Sequence, residues 1–271
     1  MVKRVGCILL AVVIGGLLVW KGIDFYTQGY ARLLPAVAEN ETPPVDVDRQ
    51  NQNEPDAVAT DVAVPDTAVI LDVPYLDQSA YPTGCESVSA VMLLRYWGVD
   101  VSVDEFIDYY LRCSELRQRN GQTYGPSPEQ RFIGDPRENT GYGCYAPVIG
   151  RAVKDLLAGE RDDLAVGNRC GQELSELAKK YIDRQVPVLI WATINMVEPY
   201  EGARWINPRD GSTVTWIANE HCLVLVGYDE DNYYCNDPYG HNGVIRVPRD
   251  LLERRYEQMG KQALIVHRVD G

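Results

Sequence analysis

Cys85 is a candidate nucleophile, because its neighbours predict that it lies at the start of a helix. It stands between Gly84 and Glu86. Thr83 and Glu86 have the spacing of a capping box with Thr83 as N-cap, which would make Cys85 the second helical residue. There, unpaired N–H groups and the positive end of the helix dipole favour a thiolate and lower the thiol pKa. A structural cysteine at a helix start is the ordinary alternative.

His221 is the candidate base among three histidines. It opens the apolar run HCLVLVGY, where a polar residue at the edge of a core strand needs a reason. It follows Cys85 by 136 residues, a separation expected for papain-type enzymes. The alternative is a hydrogen-bonded histidine at a strand end.

Asp237 and Gln78 could complete such a site. Asp237 follows His221 by 16 residues across a tight turn and could orient the imidazole. The two side chains share a sheet face only if the turn is an odd loop of three residues, 229–231, or if a bulge intervenes. Gln78 lies seven residues before Cys85, and its amide could help to stabilise an oxyanion.

Charge and composition exclude several other functions. The formal net charge is −13, so no basic surface exists for nucleic acid. Three histidines and seven scattered cysteines without a C-x-x-C pair do not predict a metal site. We expect no metal and no cofactor. One or two disulfides remain open.

The N-terminal residues predict a membrane anchor followed by a linker. Residues 1–22 contain an apolar run between basic residues, without an A-x-A-like cleavage site. Residues 36–67 are acidic, rich in Pro, Asn and Gln and without aromatic side chains, which predicts a disordered spacer. The expected arrangement is a single-pass membrane protein with residues 68–271 as an extracytoplasmic domain. Cleavage and secretion are the second choice.

The order of elements in residues 68–271 predicts an α+β fold. A first strand precedes helices near 85–97, 103–112, 146–158 and 172–184, with a long loop over 114–145. Strands follow in PVLIWAT, HCLVLVGYD, NYYCND, GVIRV and QALIVHR, with a short helix near 249–259. Helices followed by strands predict N-terminal helices packed on a C-terminal antiparallel sheet.

At these residues the chain resembles a bacterial cysteine peptidase-like family. The matching stretches are VPYLDQ, YPTGCESVSAVMLLRYWG, GYGCYAP, EHCLVLVGYD and NDPYG. The family is related to the double-glycine, bacteriocin-processing peptidases, family 39 of the cysteine peptidases, in the papain-like clan. The resemblance implies a papain-like fold, a Cys85–His221–Asp237 triad and Gln78 as oxyanion residue. Double-glycine peptidases are fused to an ABC transporter, and this chain has no G-x-x-x-x-G-K-[ST] motif, so we expect no ABC transporter domain in it.

The leading hypothesis is therefore a cysteine hydrolase that cleaves a peptide or amide bond through a thioester outside the cytoplasm. One alternative is a hydrolase of cell-wall peptides, or an acyl or isopeptide transferase using the same thioester. Another alternative is a papain-like binding module without activity. The expected partners are a peptide or cell-wall peptide substrate and the membrane, the latter through the N-terminal anchor.

Overall fold

A computed structural model describes residues 68–269. The helices of this part of the chain are Cys85–Tyr96 (α1), Val103–Glu105 continued by a π-helical turn at Phe106–Tyr110 (α2), Ala146–Leu157 (α3), Leu174–Tyr181 continued by a 3-10 turn at Ile182–Arg184 (α4) and Arg249–Gln258 (α5). The strands are Val69–Ile70 (β1), Cys113–Ser114 (β2), Arg117–Arg119 (β3), Gln122–Tyr124 (β4), Phe132–Ile133 (β5), Leu164–Asn168 (β6), Val188–Thr193 (β7), Tyr200–Ile206 (β8), Thr213–Ala218 (β9), Glu220–Tyr228 (β10), Asn232–Asp237 (β11), Gly243–Pro248 (β12) and Ala263–Arg268 (β13).

The main sheet is antiparallel and places β10 near its centre. Its strands follow the order β12-β11-β10-β7-β13-β6, and β1 pairs with β10. A second sheet has the order β3-β4-β8-β9, and the short strands β2 and β5 form a parallel pair. Because β7, β10 and β13 are apolar on both sides, they fit positions covered on both faces.

Helices cover both faces of the main sheet. Val224, Trp191 and Leu264 belong to the core that also contains α1 and α3 residues. Leu223 and Ile190, their neighbours along the strands, belong to the core formed with α4 and α5. Successive side chains along a strand point to opposite faces. Each apolar strand is therefore shared between two cores.

Helix α1 is buried almost all round, whereas α3 is amphipathic. Residues 85–94 of α1 are all buried, because the helix packs against β10, α2 and α3. In α3 the buried positions include Ile149, Ala152, Val153 and Leu156, which recur at helical spacing along one face. α1 therefore holds its first residue, Cys85, inside the fold.

The predicted α+β class is confirmed, with helices of the first half packed on an antiparallel sheet of the second. The predicted helices lie within one or two residues of α1, α3, α4 and α5, and Ser102 caps α2 as the capping-box pattern predicts. The structure adds β6, the β8–β9 hairpin and the short strands within 114–145. These strands were missed because glycine, charged residues or short length obscure their period.

The prediction of a single-pass membrane protein is corrected. Among residues 68–269, no helix combines the length and apolar character needed to cross a bilayer. The predicted anchor, residues 1–22, and the predicted linker, residues 36–67, lie outside the described residues. The structure does not show a membrane-spanning protein.

Candidate active site

Cys85 is the first residue of α1, and its N-cap differs from the prediction. Gly84 is the N-cap and provides no side-chain cap. The Thr83 hydroxyl donates instead to the carbonyl oxygens of Asp135 and Glu138, at 3.2 and 3.0 Å. The predicted Thr83–Glu86 capping box is therefore wrong, because tertiary contacts recruit the Thr83 hydroxyl. The prediction that Cys85 lies in the first turn of a helix is confirmed, one position earlier than expected.

His221 and Asp237 are in direct contact. Nε2 of His221 lies 2.7 Å from Oδ1 of Asp237, and both side chains are buried. Asp237 also accepts hydrogen bonds from the Tyr239 N–H and the Asn242 amide. Burial opposes ionisation of Asp237, but the His221 charge and these hydrogen bonds lower its pKa below the usual 3.8. A fixed carboxylate therefore holds the ring at Nε2, and Nδ1 is the nitrogen left to act on a substrate or thiol.

A β-bulge in β10 brings these two side chains to the same face. Tyr228 pairs with Tyr233, so four residues lie between the last paired positions of the hairpin. A regular hairpin with this loop would place positions 221 and 237 on opposite faces. The register shifts between Leu225 and Gly227, which inserts one extra residue and restores the shared face. The odd loop considered above is absent from this hairpin, and the bulge takes its place.

Gln78 lies beside the same end of the sheet. Its N–H donates to the carbonyl oxygen of Pro238, the residue after Asp237. Its side-chain amide donates to the carbonyl oxygens of Tyr81 and Pro82, at 3.4 and 3.3 Å. Its buried Oε1 has no hydrogen-bond partner within residues 68–269. Gln78 thus connects the sheet end to the segment before Cys85, but its amide donors are directed at backbone carbonyls.

Two buried glutamates, Glu86 and Glu220, lie beside Cys85. The Cys85 thiol donates to Glu86 Oε2 at 3.3 Å, and Oε1 of Glu86 accepts the Cys144 N–H at 2.5 Å. Polar side-chain atoms of Cys85, Glu86 and Glu220 all lie within 4.8 Å of one another. Glu220 belongs to β10 and directs its side chain to the α1 side, like Cys222 two residues later.

The sequence analysis missed this pair. Glu86 was assigned to the capping box, and Glu220 is separated from it by 134 positions. A signal was present, since Glu86 begins an otherwise uncharged helical run, ESVSAVMLL, and Glu220 immediately precedes the candidate base. An acidic residue at the start of each apolar element is a signal that the sequence analysis could have used, because a buried carboxyl group needs a hydrogen-bond donor or a proton.

The thiol of Cys85 is held by Glu86 and not by His221. The hydrogen bonds of residues 68–269 include the Cys85–Glu86 contact but none between Sγ and the His221 ring. The structure therefore brings His221 and Asp237 together and places Gln78 at the same end of the sheet. The Cys85 thiol is hydrogen-bonded to Glu86 and lies close to Glu220.

Comparison with known proteins identifies the family. The sequence model of the Peptidase_C39 like family matches residues 70–264. The chain belongs to this family. A solved protein described as a C39-like peptidase from Bacillus anthracis is 27% identical, with a TM-score of 0.64, and the match covers 76% of this chain and 100% of that one. The uncharacterized protein YvpB of Bacillus subtilis is 27% identical over 201 residues, which are 73% of this chain and 76% of the relative.

A double glycine motif protease from an AMS/PCAT transporter, solved with its leader peptide, is a more distant neighbour. It is 18% identical, with a TM-score of 0.43, over 74% of this chain and 94% of that one. The predicted family resemblance and papain-like fold class are confirmed, and the Peptidase_C39 like family supports a cysteine peptidase role.

The electrostatics around the thiol of this C39-like chain oppose the prediction of an activated Cys85. Burial raises the pKa of the Cys85 thiol well above its usual 9.0, and the neighbouring carboxyl groups of Glu86 and Glu220 raise it further. The helix N-terminus favours a lower pKa of the Cys85 thiol, but desolvation and the two carboxyl groups outweigh this effect. The expected lowering of the Cys85 pKa is therefore not found in this arrangement, because the thiol lies against carboxyl oxygens.

Among residues 68–269, the side chains of Cys85, Glu86 and Glu220 form the group whose ligand atoms are close enough to hold a metal ion. Thiolate and carboxylate ligands differ in softness and favour different metals. The expectation of no metal stays a prediction.

The disulfides left open by the sequence are not formed among the described cysteines. These cysteines are free thiols: Cys85, Cys113, Cys144, Cys170, Cys222 and Cys235.

Proposed function

We propose that this C39-like chain is a cysteine peptidase in which Cys85 attacks a peptide or amide carbonyl. His221 would be the base, Asp237 the residue that orients it, and Gln78 an oxyanion donor. The observation that carries the proposal is the buried 2.7 Å contact between His221 Nε2 and Asp237 Oδ1. It fixes the ring and reserves Nδ1 for the thiol proton, as hydrolysis by a thiol nucleophile requires.

The reaction would proceed in two steps. In the first, Sγ loses its proton to Nδ1 of His221 and forms a bond to the carbonyl carbon, and the resulting oxyanion is stabilised by the unpaired N–H of Cys85 at the helix start. The imidazolium then protonates the leaving amine as the C–N bond breaks, which leaves a thioester on Cys85. In the second step, water loses a proton to His221 and attacks the thioester, releasing the acid and the free thiol.

This sequence requires Sγ and Gln78 to change partners. Sγ must leave Glu86 Oε2 and approach His221 Nδ1, and one Gln78 N–H must leave a carbonyl oxygen for the substrate oxyanion. Such adjustments are compatible with a substrate-free enzyme, where hydrogen bonds needed for catalysis are often long or misaligned.

The chemistry allows more than one acceptor. If water accepts the acyl group the product is a hydrolysed peptide, including one from a cell-wall cross-bridge. If an amine accepts it, the same thioester gives an acyl or isopeptide transfer. A binding module without activity would need neither the fixed ring nor the thiol, and the buried His221–Asp237 contact favours the enzyme.

The test is hydrolysis of a mixed peptide and muropeptide library by the full-length chain. We expect new N-termini to form with the unaltered protein and to disappear with Cys85→Ala. Cys113→Ala, which changes an exposed thiol, serves as the matched control and should retain the activity. Equal cleavage by the Cys85→Ala and unaltered proteins, or no cleavage of any library member, would contradict the proposal.

A further inference from the structure

We propose that Glu86 is a positioning residue whose carboxyl group must carry a proton before Cys85 can become a thiolate, with Glu220 as the buried acid that stays protonated beside it. The inference rests on the proposed role of Cys85 and deepens it. It assigns to two glutamates outside the Cys–His–Asp set the control of when the nucleophile is reactive.

The geometry of the pair excludes two independent carboxylates. Both side chains are buried, Glu86 completely and Glu220 with 6% exposure, and their oxygens lie within 4.8 Å of each other and of Sγ. Glu86 is satisfied by the Cys144 N–H and the Cys85 thiol, but Oε1 of Glu220 has no hydrogen-bond partner within residues 68–269. A buried ionised carboxylate without a donor costs far more free energy than a buried neutral carboxyl group. The unpartnered oxygen therefore indicates that Glu220 is the neutral member.

The surrounding groups supply little positive charge. The titratable groups that act on Glu86 or Glu220 are the thiols of Cys85, Cys113, Cys144 and Cys222, the phenol of Tyr145 and the ring of His221. His221 is the one group among them that can carry a positive charge, and Asp237 already neutralises it. Two ionised glutamates together with a thiolate would thus leave several unbalanced negative charges in a buried space.

The hydrogen bonds indicate the order in which the two acids lose their protons. Glu86 accepts from the Cys144 N–H and the Cys85 thiol, which favour its ionised form, whereas Oε1 of Glu220 accepts from no group within residues 68–269. Burial raises the pKa of Glu86 to about 7, even though the Cys144 N–H and the thiol favour its ionised form. Burial, and then the charge of Glu86, raise the pKa of Glu220 well above 4.5. Glu86 is therefore the group that ionises near neutral pH, while Glu220 keeps its proton.

The protonation state of Glu86 decides what its carboxyl group does to the thiol. When Glu86 is ionised, Oε2 accepts a hydrogen bond from the Cys85 S–H and disfavours loss of that proton. When Glu86 is protonated, the thiol proton can pass to His221 Nδ1, and the neutral carboxyl O–H can donate to the thiolate. The reactive fraction of Cys85 thus falls as pH rises through the Glu86 pKa, opposite to an ordinary thiol, whose ionised fraction rises toward pH 8.5 and beyond.

The experiment is alkylation of the full-length chain by iodoacetamide between about pH 5 and pH 9. Mass spectrometry of the peptide that contains Cys85 separates this thiol from the others. For the unaltered protein we expect the Cys85 rate to decline as pH rises through about 7. Glu86→Gln, which is always neutral, should remove this decline and raise the rate at the alkaline end by about tenfold or more, since one pH unit above the pKa ionises roughly nine-tenths of the group.

Glu220→Gln is the matched control, because it imitates the protonated acid already present and should keep the decline. A Cys85 rate that rises like that of an ordinary thiol in the unaltered protein would overturn the proposal. Retention of the decline in Glu86→Gln, or its loss in both glutamine variants, would also overturn it.

Carbon-13 NMR of the unaltered protein covers the case in which Glu86→Gln does not fold. Two glutamate carboxyl groups should remain protonated near pH 6. A spectrum without any protonated glutamate carboxyl group at this pH would contradict the proposal. These measurements need no substrate, so they are separate from the test of peptidase activity. A Cys85 rate with the expected decline and no cleaved peptide would reject the proposed function alone.

Discussion

His221 and Asp237 face each other because one extra residue in β10 changes the register of a hairpin. The bulge between Leu225 and Gly227 compensates for the four residues between Tyr228 and Tyr233. The result is a buried contact of 2.7 Å between Nε2 and Oδ1. The geometry of the site thus depends on a backbone feature four to six residues from His221.

Asp237→Asn should keep the fold and lower kcat/KM by about 10²- to 10⁴-fold. An amide in place of the carboxylate can hold the ring in the wrong tautomer and cannot stabilise the imidazolium. The measurement is peptide hydrolysis, together with circular dichroism to confirm the fold. Asn242→Ala, which removes one hydrogen bond to Asp237, is the milder control, and an equal loss in both variants would contradict an orienting carboxylate.

The free energy of unfolding should decrease as pH rises from about 4.5 to about 7. Glu86 has a folded-state pKa above its unfolded value, so its contribution is fully present below the unfolded pKa and is lost as pH rises through the folded pKa. The change is on the order of 1–3 kcal/mol. Urea unfolding at several pH values measures it, and Glu86→Gln should flatten this part of the curve. A profile identical in both proteins would count against a buried, protonatable Glu86.

Gly143→Ala should disturb the glutamate pair. A Cβ at this position would lie 2.6 Å from Glu86 Oε1 and 3.1 Å from Glu220 Oε2, and the backbone has φ +139°. Gly211→Ala is the control, since it also has a positive φ but open space around its Cβ. We expect about 1 kcal/mol of destabilisation at Gly211, the cost of placing a Cβ on left-handed backbone, and at least about 2 kcal/mol at Gly143. Thermal unfolding gives both values, and equal losses would show that Gly143 has no special contact.

Removal of the buried Arg255 side chain should lower the free energy of unfolding more than removal of the charge on its ion-pair partner, Glu198. The side chain is 4% exposed, donates to the Met196 carbonyl oxygen at 2.7 Å and pairs with Glu198, whose side chain is largely exposed. Arg255→Met leaves that carbonyl without its donor and should cost about 1–3 kcal/mol. Glu198→Gln keeps a hydrogen-bond acceptor and should cost less than about 1 kcal/mol. Urea unfolding at neutral pH ranks the two, and the reverse order would contradict a role for burial.

The sequence was sufficient to predict the α+β class and the main elements, because α3, β7, β10 and β13 have strong helical or apolar patterns. It was also sufficient to select Cys85, His221, Asp237 and Gln78 as candidates. It required an odd loop or a bulge, but it could not choose between them, because Gly227 inside the strand is compatible with a bulge without demanding one. The β8 strand was missed because Gly202 and two charged residues interrupt its alternation.

The surroundings of Cys85 were the least predictable part of the site. T-x-x-E spacing was interpreted as a local cap, but Thr83 bonds to carbonyls more than 50 positions away and Glu86 turns inward to the Cys144 N–H. Glu220 joins them across 134 positions. Only tertiary packing determines that two carboxyl groups and a thiol share one buried space.

Direct detection of an acyl group on Cys85 is the sharpest test of the central claim. The full-length chain is mixed with an intact peptide that it is found to cleave, and the reaction is quenched in acid. The fragment of the protein that contains Cys85 is then analysed by mass spectrometry. The account predicts a mass increase equal to the acyl half of the substrate, confined to Cys85, removable by hydroxylamine and strongly reduced in His221→Ala. Peptide cleavage that proceeds without any acyl group on Cys85, or unchanged acylation in His221→Ala, would contradict it.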